Sequence, residues 1–276
     1  MVSDQIRQFL ADITADADYP ALSEAKMNSI AHPDRVVVIA EDDRVVAVGA
    51  TARHVHGDGG AHHAIETAVA PAMQFPAFEK IVAEAAIELV PDGPMSIWSM
   101  RSTLDAAVGE LGFVRIRALL HMTVDLPLTE SVDASIRPLG RDEDEALVAV
   151  NNAAFAAHRE AASLTTQDVT AMAKEPWFDR EGIRVATVDE RLVGFCWTKV
   201  HPNGDGEIYR IAVDPRAQGH GWGRRLVLAG FDHLSADRGV REGTLWVDEE
   251  NTAAVGLYES IGMRSKRVNR EFERPG

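Results

Sequence analysis

Three glycines two residues apart, Gly219, Gly221 and Gly223, sit among Arg216, Arg224 and Arg225 and lead into the apolar run Leu226, Val227, Gly230, Phe231 and Leu234. A glycine loop feeding a helix start gathers backbone N–H groups, and the helix dipole adds partial positive charge at the same point. Residues without Cβ allow close approach, and the three guanidinium groups add charge. The chemistry this stretch suits is the holding of a phosphate or pyrophosphate. No Gly-Lys-Ser/Thr closes the loop, so it is not a nucleoside-triphosphate loop, and Arg224 stands where a dinucleotide fingerprint would need its third glycine.

Arg216-Ala-Gln-Gly219-His-Gly221, preceded by Ile211-Ala-Val-Asp-Pro215, resembles the Arg/Gln-x-x-Gly-x-Gly/Ala loop of the GNAT acetyltransferases. Asn251-Thr-Ala-Ala-Val-Gly-Leu-Tyr258-Glu-Ser-Ile-Gly-Met263 resembles that family's second signature, with Met263 in place of the usual Phe. The resemblance implies acetyl-CoA as acetyl donor. It implies cofactor contacts at Ile211, Ala212 and Val213, along the loop Gln218, Gly219, His220, Gly221, Trp222, Gly223 and Arg224, and at Asn251, Thr252, Ala253, Ala254, Val255 and Gly256. No metal is expected. Within that chemistry Glu207, four residues before Ile211, is placed to take the proton of an attacking amine; the bland alternative is a solvated strand-end carboxylate. Tyr258 is the candidate acid, because a phenol of pKa ~10 can give its proton to a thiolate of pKa nearer ~8.5. It also fits as an anchor for the sulfur or as a core tyrosine. Asn251 reads as the cap of the helix that carries Tyr258.

The elements that must position these groups are written twice, 145–150 residues apart. Val36–Ile39, Asp42-Asp43 and Val45–Val48 read as strand, turn and strand, and Val185–Val188, Asp189-Glu190 and Leu192–Phe195 repeat them. Ile65-Glu-Thr-Ala-Val-Ala-Pro71 mirrors Tyr209-Arg-Ile-Ala-Val-Asp-Pro215, and a helix over Phe78–Leu89 mirrors one over Trp222–Leu234. The fold expected is α/β: two fused GNAT domains, each a mixed, mostly antiparallel twisted sheet flanked by helices. Residues 1–130 form the first domain and 134–276 the second, with a polar linker containing Pro127 between them. Aligning Pro71 with Pro215 puts Phe75, Ala77 and Glu79 at Gly219, Gly221 and Gly223, and Pro76 removes a donor from the loop. Tyr258 and Glu207 fall near Val108 and His63. The first copy is degenerate on this reading, and the second is catalytic.

At 276 residues the chain has room for two cores. Its net charge of −15, from 28 basic and 43 acidic residues, argues against nucleic-acid or anionic-membrane partners and suits a cationic small molecule. No run approaches a membrane span, and the start lacks a signal-peptide pattern. The single cysteine, Cys196, has no internal disulfide partner and lies in an apolar strand. A reducing, cytoplasmic setting and a monomeric state are expected. His54-x-His56 with His62-His63 lacks a clear fourth metal ligand and reads as loop surface.

Asn151-Asn-Ala-Ala-Phe-Ala-Ala-His158-Arg-Glu160, Pro176-Trp-Phe-Asp and Gly194-Phe-Cys-Trp-Thr-Lys-Val-His201 narrow the resemblance to the mycothiol synthase family of tandem GNAT proteins. That resemblance implies N-acetylation of the cysteinyl amine of a cysteine–glucosamine–inositol conjugate by direct transfer, with substrate contacts at Glu24, Glu160, Lys199, Glu207 and Trp246. The family tends to carry Tyr where Trp246 stands, so Trp246 either meets the substrate or only packs. Carboxylates suit a cationic amine, and a Trp face suits a sugar ring. The competing readings are a GNAT enzyme for another small amine or a protein N-terminus, and a CoA-binding regulator without activity.

Overall fold

The computed structural model describes residues 2–17, 20–55, 60–156 and 163–274. Its first repeat runs α1 (Val2–Ala17), α2 (Glu24–Ser29), β1 (Val36–Glu41), β2 (Arg44–Val55), β3 (Ala61–Val69), α3 (Pro76–Ile87), β4 (Met95–Ser99), α4 (Ser102–Glu110) and β5 (Val114–Asp125). The second runs β6 (Arg137–Pro138), α5 (Asp144–Phe155), α6 (Thr166–Met172), β7 (Ile183–Val188), β8 (Arg191–Val200), β9 (Gly206–Val213), α7 (Trp222–Asp232), β10 (Glu242–Asp248), α8 (Thr252–Ser260) and β11 (Arg264–Glu273). The repetition reaches single residues. Asp42 and Asp43 turn at φ 47° and 62°, and Asp189 and Glu190 at 47° and 64°. Those are the left-handed conformations that a two-residue hairpin turn requires.

Packing gathers the elements into two compact units, Met1–Leu119 with Val268–Gly276, and Leu120–Arg267. In the first unit the strand order is β1-β2-β3-β4-β11, parallel only between β3 and β4. In the second it is β6-β7-β8-β9-β10-β5, with β9 and β10 parallel and the pairs from β6 to β9 antiparallel. Both sheets are mixed and mostly antiparallel, the GNAT arrangement expected. The outermost strand of each comes from the other repeat: Leu120–Asp125 of β5 belongs to the second unit, and Val268–Glu273 of β11 to the first.

In the second unit α7 lies on one sheet face with Leu226, Val227 and Phe231 fully buried. Its close seat needs Gly230, where an added Cβ would come within 2.5 Å of Cys196 Sγ. Burial also pushes the Cys196 thiol far above the ordinary range, so it is an inert core residue. On the other face Trp197, Phe195, Ile183 and Val185 pack with Leu147 and Val150 of α5 and Val169 of α6. A capping box between Thr165 and Asp168 starts α6.

The twin regions differ in backbone as well as in sequence. Between β8 and β9 the register slips by one residue, Trp197 facing Arg210 and Thr198 facing Ile208, so Tyr209 is a bulge. The equivalent β2–β3 register runs without interruption from Ala47↔Val69 to Val55↔Ala61. Beside the bulge, β10 pairs with β9 only at Gly243↔Gly206 and Thr244↔Glu207. The unbulged β3 instead pairs with β4 over four positions, His63↔Met95 to Glu66↔Trp98. The first unit's helix also starts earlier: α3 begins at Pro76, whose counterpart is His220, whereas α7 begins at Trp222.

Where the second repeat has Gly223 and the helix cap Asn251, the first has Glu79 and the cap Arg101. These two replacements have found each other. Arg101 Nε and Nη2 donate to the two oxygens of Glu79 at 2.7 and 2.9 Å, and Nη2 also reaches the Thr67 carbonyl at 3.1 Å. Glu79 is completely buried. Removing one partner of such a pair strands a charge in the interior, so Arg101→Ala is expected to destabilise the fold by about 3 kcal/mol. Urea unfolding would show it, and a change within experimental error would show the pair to be dispensable.

Candidate active site

Beyond Glu207 the strands β9 and β10 part, and the gap between them is bordered by Ile208–Val213. The Asp214 N–H donates to the Val193 carbonyl at 2.8 Å. Alternation along an antiparallel pair then turns the backbone of Ala212 toward β8 and that of Ile211 and Val213 toward the gap. The Gln218 amide confirms the direction, donating to the Val213 carbonyl at 3.3 Å. Its counterpart Gln74 does the same to Val69 at 3.0 Å. Of the three expected strand contacts, Ile211 and Val213 thus face the gap with their N–H groups, while Ala212 puts its methyl into the core.

The apex of the gap is a pair of glycines. A Cβ at Gly243 would meet the Phe231 ring at 2.6 Å, and one at Gly206 would meet Val240 at 2.8 Å and Leu234 at 3.0 Å. Glu207 stands immediately beyond this apex. Period-two alternation puts it on the sheet face of Lys199, its cross-strand partner, and of Tyr209. Trp246, two residues after Thr244, shares that face, and its ring meets His121 of β5 with centroids 4.7 Å apart. Glu207, with a side chain 15% exposed, is held by His201, whose Nε2 lies 2.6 Å from Oε2. Lys199 directs its ammonium over the rings of Trp177 and Tyr209, at 4.6 and 5.4 Å from their centroids.

Tyr258 packs on the opposite face, in the cluster that includes Leu226, Val227 and Val247. The base and acid candidates therefore lie on opposite faces of the sheet. Burial, with a smaller contribution from Cys196, pushes the Tyr258 phenol up to about 12. No hydrogen bond to its hydroxyl occurs among the described residues. Asn251 caps α8 as expected, its Oδ1 accepting from the Ala254 N–H at 3.2 Å. Thr252, Ala253 and Gly256 are exposed along the first turns of α8, with Ala254 and Val255 half-buried.

The glycine loop opens with a turn at Pro215–Ala217 capped by Asp214. Gly219 and Gly221 take φ of 81° and 78°, and a Cβ added at either meets nothing within 4 Å. Both the left-handed backbone and the clear space in front of it suit close approach by a ligand. Gly223 differs, since a Cβ there would touch Leu257 of α8 at 3.4 Å, an ordinary contact, so its place belongs to helix packing. The three arginines are also less free than their sequence suggests. Arg216 is bound through Nε and Nη2 to Asp214, which the guanidinium lowers to about 2. Arg224 is bound to Glu130 at 2.6 and 2.8 Å and to Ser260, and Arg225 lies 3.4 Å from Asp133. A cavity of about 1240 Å³ beside the loop is lined by Arg216, Ala217, His220 and Trp222, with the β7–β8 turn and α5. It adjoins the loop, away from Glu207 and Tyr258.

Two expected substrate residues remain. Glu24 begins α2 in the first unit, and Glu160 lies outside the described residues. So does His56, while His54 contacts Lys26 Nζ at 3.1 Å. Among the described residues no group of His, Cys, Asp and Glu is arranged to hold a metal, and no helix is long and apolar enough to cross a membrane. Sequence reading passed over His201, although its place two residues after Lys199 puts it on the same strand face. It also passed over His121, which sits in a strand of the first repeat. Burial, reinforced by Arg267, lowers His121 to about 4, keeping the imidazole neutral.

Residues 148–263 match the acetyltransferase (GNAT) family. A mycothiol acetyltransferase of Thermomonospora curvata is 43% identical over 193 residues, covering 66% of this chain and 64% of that one. A mycothiol acetyltransferase of Nocardia farcinica is 34% identical over 283 residues, covering 97% of this chain and 92% of that one. Among solved structures, a GCN5-related N-acetyltransferase from Sphaerobacter thermophilus superposes with a TM-score of 0.74 over 99% of this chain and 93% of its own, at 20% identity. That last likeness is one of fold. With near-complete coverage at 34% identity and a GNAT family match over the second repeat, the chain belongs to the mycothiol acetyltransferase family of GNAT enzymes.

Proposed function

We propose that the second unit transfers the acetyl group of acetyl-CoA to the cysteinyl amine of a cysteine–glucosamine–inositol conjugate. The observation that carries the reading is the placement of Glu207 and Tyr258 on opposite faces of the sheet in which β9 and β10 part. The residues present fit the cofactor: Gly219 and Gly221 leave a cradle that a Cβ would fill. The N–H groups of Gln218–Gly223 and the start of α7 would hold its pyrophosphate, and Asn251–Gly256 would border its pantetheine arm. Acetyl-CoA, when bound, supplies the acetyl group and leaves as CoA.

The chain's own residues do the rest by moving and holding protons. An α-amino group with a pKa of about 7.7–8.0 is largely charged at neutral pH. Glu207 removes that proton, directly or through a water. The N–H groups of Ile211 and Val213 face the charge that develops on the carbonyl oxygen. Tyr258 donates a hydrogen bond to the departing sulfur. Full transfer from a phenol at about 12 to a thiolate at its ordinary ~8.5 would be uphill by roughly 5 kcal/mol. The same burial that raises the phenol raises the thiol, which brings the two back toward balance. Trp246 offers a flat face to the sugar and Lys199 lies on the same sheet face, while Glu160 is carried as an acceptor contact by the family resemblance alone.

Glu207→Gln and Tyr258→Phe are each expected to lower kcat by about 10²–10⁴ while acetyl-CoA binding is kept. Wild-type turnover in both would end the assignment of roles. CoA release with the conjugate, compared with glucosaminyl-inositol lacking cysteine, tests the substrate: turnover confined to the conjugate is expected, and equal turnover would point to another acceptor. The first unit's buried Glu79–Arg101 pair at the positions of Gly223 and Asn251 argues for one cofactor site per chain. Calorimetric titration should give a stoichiometry of one, and two equal sites would refute it. For Tyr258, the tyrosinate absorbance of wild type and Tyr258→Phe should rise in parallel through about pH 10, where ordinary tyrosines titrate. An extra rise in the wild type there would show the phenol to be unperturbed.

A further inference from the structure

We propose that His201 is the positioning residue for the catalytic carboxylate, fixing Glu207 through Nε2–H so that its second oxygen is presented to the acceptor amine. The inference rests on Glu207 being the base. A base must be ionised to take a proton, and an ionised carboxylate only accepts hydrogen bonds. At 2.6 Å from Oε2, His201 Nε2 therefore carries the hydrogen. With Oε2 so engaged, Oε1 is left for the amine.

The hairpin between β8 and β9 is built to keep this contact. Val200 faces Gly206 and Lys199 faces Glu207 in register, which puts His201 diagonal to Glu207 on the same sheet face. The five-residue connection is closed from inside: His201 N–H donates to the Asp205 carbonyl at 2.8 Å, and Gly204 N–H to the His201 carbonyl at 2.9 Å. The imidazole thus hangs from a fixed backbone. The other candidate for the task, Lys199, is occupied elsewhere, because its ammonium sits over Trp177 and Tyr209. Among the described residues, His201 is the hydrogen-bonding partner of the Glu207 side chain. The His201 side chain is 35% exposed against 15% for Glu207, so the imidazole meets solvent protons more readily than the carboxylate it supports.

That exposure gives the role a signature. An imidazole, unlike an amide, can take a second proton and become a cation, and a cation beside Glu207 would weaken it as a base. Asp205, His121 and Lys199 also face this region, with Arg267 and Lys266 acting on His121. A substitution at His201 leaves all of them in place.

The test is a kinetic comparison of His201→Ala, His201→Gln and Glu207→Gln, with acetyl-CoA binding measured in each. His201→Ala should lower kcat by about 10–100-fold with KM for the amine changed far less. The His201→Gln amide can still donate to the carboxylate, so it should recover most of kcat near pH 8. Because an amide takes no second proton, it should also keep activity to lower pH than wild type. A wild-type rate in His201→Ala together with an inactive Glu207→Gln would overturn the positioning role and leave the base assignment standing. A wild-type rate in Glu207→Gln would remove the base assignment itself. If His201→Ala does not fold, the pH profile of His201→Gln still decides: an acid limb coincident with that of wild type overturns the inference.

Discussion

The one-residue bulge at Tyr209 is the constraint on which the active unit depends. An extra residue in β9 bends that strand and increases its local twist. Its parallel neighbour then follows it for only two register positions before the strands separate. The unbulged twin shows the alternative, with β3 and β4 joined over four positions. The parting leaves the N–H groups of Ile211 and Val213 on an open edge without breaking the β8 ladder that holds the strand. The apex is equally fixed. Gly206 and Gly243 carry no Cβ, so Phe231, Leu234 and Val240 close directly over the point where pairing stops. Open edge and closed apex are thus consequences of a register slip and a glycine pair.

The first unit fills the equivalent positions differently. Gly223 and Asn251 have become Glu79 and Arg101, and the charges satisfy each other inside the protein. A second internal pair, Lys26 with Glu66 at 3.1 Å, is buried in the same unit, and the Ser23 N–H donates to the other oxygen of Glu66 at 2.6 Å. Buried pairs of this kind add little net stability over apolar residues, because desolvation offsets most of their attraction. On the proposed reading, a phosphate at the first unit's loop would meet the Glu79 carboxylate and compete for Arg101.

Much of this was legible in the sequence because it rests on local chemistry. The glycine loop, the Asn cap and the acidic hairpin turns each follow from what one residue can do with its own backbone; Gly219, Gly221, Asn251 and the two turns stand where the pattern puts them, whereas Gly223 lies inside α7. The offset between copies was legible for the same reason. The bulge was not, because the phase break it makes, Ile208 and then Ile211 and Val213 on one face, is hidden in a stretch that is apolar at most positions. Nor were the partners of the charged residues. Arg224 finds Glu130 and Arg225 finds Asp133, each some ninety residues earlier in the chain. His121 reaches Trp246 through a strand that the first repeat contributes to the second unit's sheet. Contacts of that kind depend on topology, which spacing along one chain does not encode.

The paired arginines change how the loop must hold an anion. Read as free cations, Arg216, Arg224 and Arg225 would attract any phosphate by charge. Held by Asp214, Glu130 and Asp133, they contribute little net positive potential, and the chain as a whole carries −15. What remains is directional: N–H groups of a left-handed glycine turn and of the first turn of α7, whose donors have no partners inside the helix. Donors fixed in the backbone cost nothing to reorganise and favour a ligand whose oxygens match their spacing. A loose cluster of charges would take any polyanion. On the proposed reading, a net-acidic protein that relies on backbone geometry would select its anion by shape more than by charge. The carboxylates beside the arginines therefore belong to the selectivity of the loop as much as the glycines do.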